Sequence, residues 1–290
     1  MIRIASLRIP SLALLALLAS GCLNDSHVVA PDPAALVPQD LSKGRPDQGT
    51  FPLAVGNRWV FRTHQLSRLS VNGGPLEVVQ DVAWRTTREL FCEQVQGQDL
   101  LVNVAEAVQL PNGANFSIWR YRQNRHGLWI STGAAPPPAG CEPPFLMTEA
   151  RPLSVMPVPG VEALRRDPRQ SVEKHLLVYP LHVGRTWLME GKGSTRCTVE
   201  AYEQLDLPIG SEFAFRIRLD RPGQEPGSGP AVWYGKSGYL QTQFHGESTR
   251  TLPDGTTQHT VSDYTEVVQA VQLVEPGSST AIRALAGSSR

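Results

Sequence analysis

The sequence predicts a mainly β protein: two repeated antiparallel curved sheets, set behind a cleavable leader and a flexible tether. Three observations predict it. The 290 residues include 25 glycines and 24 prolines, which suits turn-rich β structure better than long helices. Apolar and polar side chains alternate with period two over several stretches, the pattern of a half-buried strand. A nine-residue pattern also occurs twice, at a constant offset.

Composition sets the outer bounds. Apolar residues at 41% and charged residues at 19% are those of an ordinary globular chain. The 27 Lys and Arg balance 27 Asp and Glu, so the clustered basic excess that nucleic-acid binding needs is missing. No nucleic-acid partner is expected.

Residues 1–21 carry Arg3 and Arg8 and then an uncharged apolar run from Leu12 to Ala19. This is a secretory signal, too short to span a bilayer as a helix. Leu18-Ala19-Ser20-Gly21-Cys22 resembles the lipobox of bacterial lipoproteins, with Ala19 where that family prefers leucine. The resemblance implies that Cys22 receives diacylglycerol and becomes the first residue after cleavage. The alternative is an ordinary cleaved signal beside an unrelated cysteine. Multiple acyl chains make a stable anchor, each buried methylene contributing about 0.8 kcal/mol. By the same resemblance Leu23, which is not aspartate, favours the outer membrane, with the folded part facing the periplasm. Residues 22–50, with four prolines and no sustained period, read as a lipidated tether.

Phe51-Pro52-Leu53-Ala54-Val55-Gly56-Asn57-Arg58-Trp59 opens the first β repeat, residues 51–133. Tyr179-Pro180-Leu181-His182-Val183-Gly184-Arg185-Thr186-Trp187 opens the second, residues 179–274. Weaker echoes follow in the same order: Glu93-Gln94 with Glu203-Gln204, Trp119 with Trp233, and Gly127-Leu128 with Gly238-Tyr239. The first copy is longer around Ser67–Pro75, where Asn72-Gly73-Gly74 signals a hairpin turn.

The alternation then places strands. Leu76, Val78, Val82 and Trp84 are expected on one face, with Glu77, Asp81 and Arg85 on the other. Leu100, Val102, Val104, Val108 and Leu110 repeat the pattern, as do Phe213, Phe215, Ile217 and Leu219. Pro111-Asn112-Gly113 and Pro253-Asp254-Gly255 mark further hairpins. The last strand is placed near Thr260–Val274, ahead of a Gly/Ser-rich tail, 275–290. Residues 134–178 hold Pro136-Pro137-Pro138 and Pro143-Pro144, and read as a linker or crossing loop. One sheet or two domains is open at this level; the expectation is two similar sheets packed together.

The opening motif, the Leu207-Pro208-Ile209-Gly210-Ser211-Glu212-Phe213 turn and Trp233…Gly238-Tyr239-Leu240 together resemble a family of bacterial envelope lipoproteins. Most members are uncharacterised. Distantly, such chains are similar to the curved sheets of the Lol lipoprotein carriers. The resemblance implies a fold and no catalytic residues.

Candidate chemistries fail on spacing. With Cys22 taken by lipid, Cys92, Cys141 and Cys197 form no C-x-x-C pair. An oxidising compartment favours one disulfide, expected between Cys92 and Cys141, which closes a loop of about 50 residues and stabilises by about 3–4 kcal/mol. Cys197 is then a small buried hydrophobe. The seven histidines make no ligand motif, so no metal and no cofactor are expected. Gly235-Lys236-Ser237 has Pro230 where a phosphate-binding loop needs glycine. Trp59, Trp187, Trp119 and Trp233 occupy repeat positions and read as core. Trp84 and Trp129 have no repeat partner and are the candidate ligand contacts. The expectation is a non-catalytic lipoprotein that binds an apolar envelope component, such as an acyl chain or a lipoprotein. The alternative is a protein-interaction or scaffold module of the envelope. An enzyme is a distant third.

Overall fold

The computed structural model describes residues 51–110, 113–132, 140–141, 143–144, 172–189 and 194–274. The leader, Cys22, the tether, most of the Pro-rich join and the tail lie outside them.

The regular elements of the described residues are all strands: β1 (Arg58–Val71), β2 (Glu77–Gln96), β3 (Asp99–Leu110), β4 (Gly113–Asn124), β5 (Gly127–Thr132), β6 (Val172–Val178), β7 (Thr186–Leu188), β8 (Arg196–Leu207), β9 (Gly210–Asp220), β10 (Ala231–Gly235), β11 (Gly238–Thr251) and β12 (Thr257–Gln272). They form one 12-stranded sheet in the order β6-β5-β4-β3-β2-β1-β12-β11-β10-β9-β8-β7. Two meanders therefore run outward from a central β1–β12 pair.

Two packed sheets were the expectation; one continuous sheet is the result. The reason lies at the junction. Each meander alone would expose the long edge of β1 or β12. Pairing them antiparallel from Arg58↔Gln272 to Val71↔Gln258 satisfies both ladders along their length. The remaining edges, β6 and β7, approach each other without a ladder. Between them the Trp187 indole Nε1 donates to the His175 carbonyl (3.0 Å), so the sheet curls into a nearly closed barrel.

Register assigns the faces. Residues directly opposite across antiparallel strands share a face. Phe61 lies opposite Thr86 and Val268, and Arg88 opposite Trp59 and Glu106. The same face continues through Val104, Trp119 and Tyr121 on one side and through Thr242, Val232, Ile217 and Val199 on the other. This inner face holds most of the core, including the fully buried Phe61, Val102, Leu128, Ile217 and Val268.

Three sequence expectations shift. Val82 and Trp84 keep the inner face, opposite Gln65 and Thr63. Leu76 and Val78 do not pack; Val78 is 59% exposed. A register shift between Ser67 and Arg68 breaks the alternation there, and the long β1–β2 hairpin runs past the core. Phe213 likewise projects, 45% exposed, although Ile217 four residues on is buried. Residues 172–178, read as the end of the linker, form strand β6 against β5. They contain no proline, so their N–H groups are free to join the ladder.

Candidate functional site

The inner face carries a polar cluster in an aromatic setting. Arg88, on β2, donates from Nε to Glu106 on β3 (2.8 Å) and from Nη2 to Glu266 on β12 (2.9 Å). Its guanidinium lies over the rings of Phe61 (4.6 Å) and Tyr239 (5.1 Å). The Tyr239 hydroxyl donates to Glu266 (2.9 Å) and also contacts Thr242; Ser117 donates to Glu106 (3.3 Å). Register explains the convergence: Glu106 and Trp59 flank Arg88, and Glu266 sits opposite Thr63, two inward rows along, with the row of Phe61 between them.

Glu266 is 1% exposed, and burial pushes its carboxyl above the usual range, with Arg88 pulling the other way. Burial likewise raises the phenols of Tyr121, Tyr239 and Tyr264. One cation facing two carboxylates leaves an excess of negative charge when both are ionised. The sequence reading missed this cluster. Its signal was present as charged residues on inward positions of otherwise apolar faces, Arg88 two residues before Leu90 and Glu106 two after Val104.

A second set closes one end of the interior. The Phe51 N–H donates to the Tyr179 hydroxyl (2.8 Å), Tyr179 donates to Gln123 Oε1 (2.9 Å), and Gln123 Nε2 donates back to the Phe51 carbonyl (3.1 Å). Phe51 packs on Trp59, Tyr121 and Tyr234. Trp59 Nε1 donates to the Ser237 carbonyl (2.6 Å), and Gly238, at φ +96°, lies under both Phe51 and Trp59. A Cβ there would come within 3.2 Å of Trp59, in a backbone conformation that favours glycine.

At the β6 seam, Lys174 sits opposite Ile130 on the inner face and is 7% exposed. Burial, and then the like charge of Arg221, push its ammonium down to about 8.

The tryptophans divide between the faces. Trp84 is half-buried on the inner face, 6.2 Å from the Tyr264 ring. Trp129 lies opposite Arg122, on the other face, stacked between the Arg122 guanidinium (3.9 Å) and His175 (4.3 Å). The two proposed ligand contacts are therefore not brought together. Trp59, Trp119 and Trp187 are on the inner face, opposite Arg88, Val104 and Cys197. Trp233 faces the other way, buried, its indole donating to Glu203 (2.8 Å).

Cys92, at the bulge between Phe91 and Glu93, is disulfide-bonded to Cys141, with Cα atoms 5.7 Å apart. Cys197 is a buried free thiol, pushed up to about 12 by burial and by Asp220. On the opposite face a chain of polar side-chain contacts runs Arg68–Asp263–His245–Glu247–His259. Among the described residues no three His, Cys, Asp or Glu are grouped to hold a metal ion.

No protein-family model matches the chain, and no curated protein matches it. Two solved structures are similar at low identity. One is a candidate lipoprotein from Parabacteroides distasonis, 10% identical, covering 77% of this chain and 97% of its own, with a TM-score of 0.38. The other is a candidate exported protein with a YmcC-like fold from Bacteroides fragilis, 11% identical, covering 77% and 98%, with a TM-score of 0.39. Likenesses this weak carry no argument about what the chain does.

Proposed function

We propose that this chain is a lipid-anchored lipoprotein of the outer membrane, acylated at Cys22 and facing the periplasm. Its role is binding rather than catalysis: the interior of the curved sheet takes an apolar envelope component such as an acyl chain. One observation carries the reading. An inner face that is apolar and aromatic around the buried Arg88–Glu106–Glu266 cluster is joined at its β6–β7 seam by the Trp187 indole rather than by a backbone ladder. Parting that seam breaks few hydrogen bonds, whereas parting any other strand pair breaks a ladder.

The test is native mass spectrometry of the gently purified mature chain. Added mass that is lost on denaturation and matches a lipid supports the reading; a protein that carries and takes up no lipid overturns it. Trp84→Ala, on the inner face, weakens uptake, while Trp129→Ala, on the opposite face, leaves it unchanged.

A second reading is a module that docks on another envelope protein. It is favoured by the exposed apolar side chains Val71, Leu76, Val78 and Val79 at the far end of the β1–β2 hairpin. It predicts co-purification with one protein partner that is lost when Val78 and Val79 are both changed to Thr.

A further inference from the structure

Two independent observations on the inner face call for a positive, hydrogen-donating group. The first is charge. Arg88 is one cation set against two carboxylates, Glu106 and Glu266. The second is an unmet hydrogen bond beside them. Thr63 is 0% exposed, and its hydroxyl has no hydrogen-bond partner among the described residues. A polar group held out of water without a partner is costly and rare in folded proteins.

Register brings the two together. Thr63 on β1 stands directly opposite Glu266 on β12 and directly opposite Trp84 on β2, so all three share the inner face. The Trp84 and Tyr264 rings lie 6.2 Å apart, from the two strands that flank β1. The Tyr264 hydroxyl donates to Glu266 (3.4 Å). A carboxylate, an unpartnered hydroxyl and two aromatic rings thus converge around Thr63. Aromatic faces and carboxylates both attract a cation, and the two glutamates repel an anion. Trp84 is half-buried, so solvent reaches this part of the face.

We propose that Thr63, Glu266, Trp84 and Tyr264 form the headgroup site of the interior and receive the ammonium of a cationic amphiphile. Glu266 supplies counter-charge, the Thr63 hydroxyl accepts an N–H, and the two rings flank the cation. The inference rests on the binding role proposed above and adds its specificity: cationic over neutral and anionic amphiphiles.

The experiment is calorimetric titration of the full mature chain at pH 7, purified in a neutral maltoside, with dodecylammonium, dodecanol, dodecanoate and ethylammonium. The wild type binds dodecylammonium about tenfold or more tighter than dodecanol, and dodecanoate no tighter than dodecanol. Thr63→Val and Glu266→Gln each bring the ratio of ammonium to alcohol affinity close to one. Thr63→Val keeps the side-chain shape and removes the hydroxyl, so without ligand it melts no lower than the wild type. A lower melting temperature for that variant shows that the hydroxyl serves the fold and overturns the site. Equal binding of dodecylammonium and dodecanol by the wild type overturns the ammonium site and leaves the binding role standing, as does a preference that survives both variants. Ethylammonium binding as tightly as dodecylammonium overturns the headgroup assignment in favour of a small free amine. If no long-chain probe binds at all, the binding role itself falls, and the site with it.

Discussion

The backbone N–H of Phe51 donates to the hydroxyl of Tyr179 at 2.8 Å, across 128 residues of chain. These are the matching aromatic positions of the two motif copies. The glycines of the motif correspond as well. Gly56 N–H donates to the Leu90 carbonyl and Leu90 N–H to the Asn57 carbonyl; Gly184 N–H donates to the Val199 carbonyl and Val199 N–H to the Arg185 carbonyl. Gly56 and Gly184 both take positive φ, 92° and 86°, which glycine adopts without steric cost. Each copy thus ties its own entry turn to a later strand, and the first aromatic of one copy meets that of the other.

Tyr179→Phe removes one hydroxyl and leaves the Phe51 N–H and Gln123 Oε1 without that partner. Denaturant unfolding is expected to show a loss of about 1–3 kcal/mol, since stranded polar groups cost more than a net hydrogen bond contributes. An unchanged midpoint would mean that water replaces the hydroxyl at no cost.

Arg88→Met strips the counter-charge from Glu106 and Glu266 together. At pH 7 the expected loss is about 3–5 kcal/mol, because two buried carboxylates are left uncompensated. The loss shrinks as the pH is lowered and Glu266, whose carboxyl burial already raises, takes up a proton. A loss that is the same at pH 5 and pH 7 would place the role of Arg88 in packing over Phe61 and Tyr239 rather than in charge.

Glu266→Gln tests the raised carboxyl directly. Burial, the larger effect, holds the folded Glu266 above its unfolded value, so the folded state binds the proton more tightly. Its contribution to stability is fully present below the unfolded carboxyl range and is lost as pH rises through the raised folded value. Melting curves of the wild type measured against Glu266→Gln should show that decline in the wild type alone.

Lys174 has the opposite sign. Its folded ammonium is pushed down to about 8, so between about pH 8 and its ordinary value of 10.5 the unfolded chain holds the extra proton and stability rises with pH. Lys174→Met removes the buried charge while filling similar space. The variant should melt higher than the ligand-free wild type at pH 7, with the gap closing towards pH 10. A gap that does not depend on pH would show that the ammonium is not desolvated in solution.

Reduction separates the cysteines. Cys92→Ser or Cys141→Ser is expected to cost about 3–4 kcal/mol, the loop-closure contribution of a link of this span. Cys197, buried and held protonated, should stay unreactive to a thiol reagent in the native protein and react at once in denaturant. Rapid native labelling would mean that the β7–β8 edge opens.

Much of the fold was legible because local signals agreed with the global answer. Asn72-Gly73 does turn the β1–β2 hairpin, at φ 51° and 74°, and the Val102–Val104 and Phe215–Ile217 alternations lie on strands β3 and β9. The site was less legible. Arg88, Glu106 and Glu266 come from three strands scattered along the chain, and no spacing rule links them. A lone inward charge in an alternating run hints that a partner exists and cannot say which one. Lys174 was hidden by the prolines before it, which made its segment read as linker.

By itself the sequence determined the mainly β class, the Asn72-Gly73 turn and the alternation along strands such as β3, because period and turn chemistry act over a few residues. Only the tertiary structure decided that β1 pairs with β12, that β6 and β7 meet without a ladder, and that Trp84 and Trp129 look in opposite directions. Those outcomes depend on which distant edges satisfy each other's hydrogen bonds and on bulges that shift register midway along a strand. One such shift, between Leu128 and Trp129, lies on β5, on the ladder that sets Lys174 opposite Ile130.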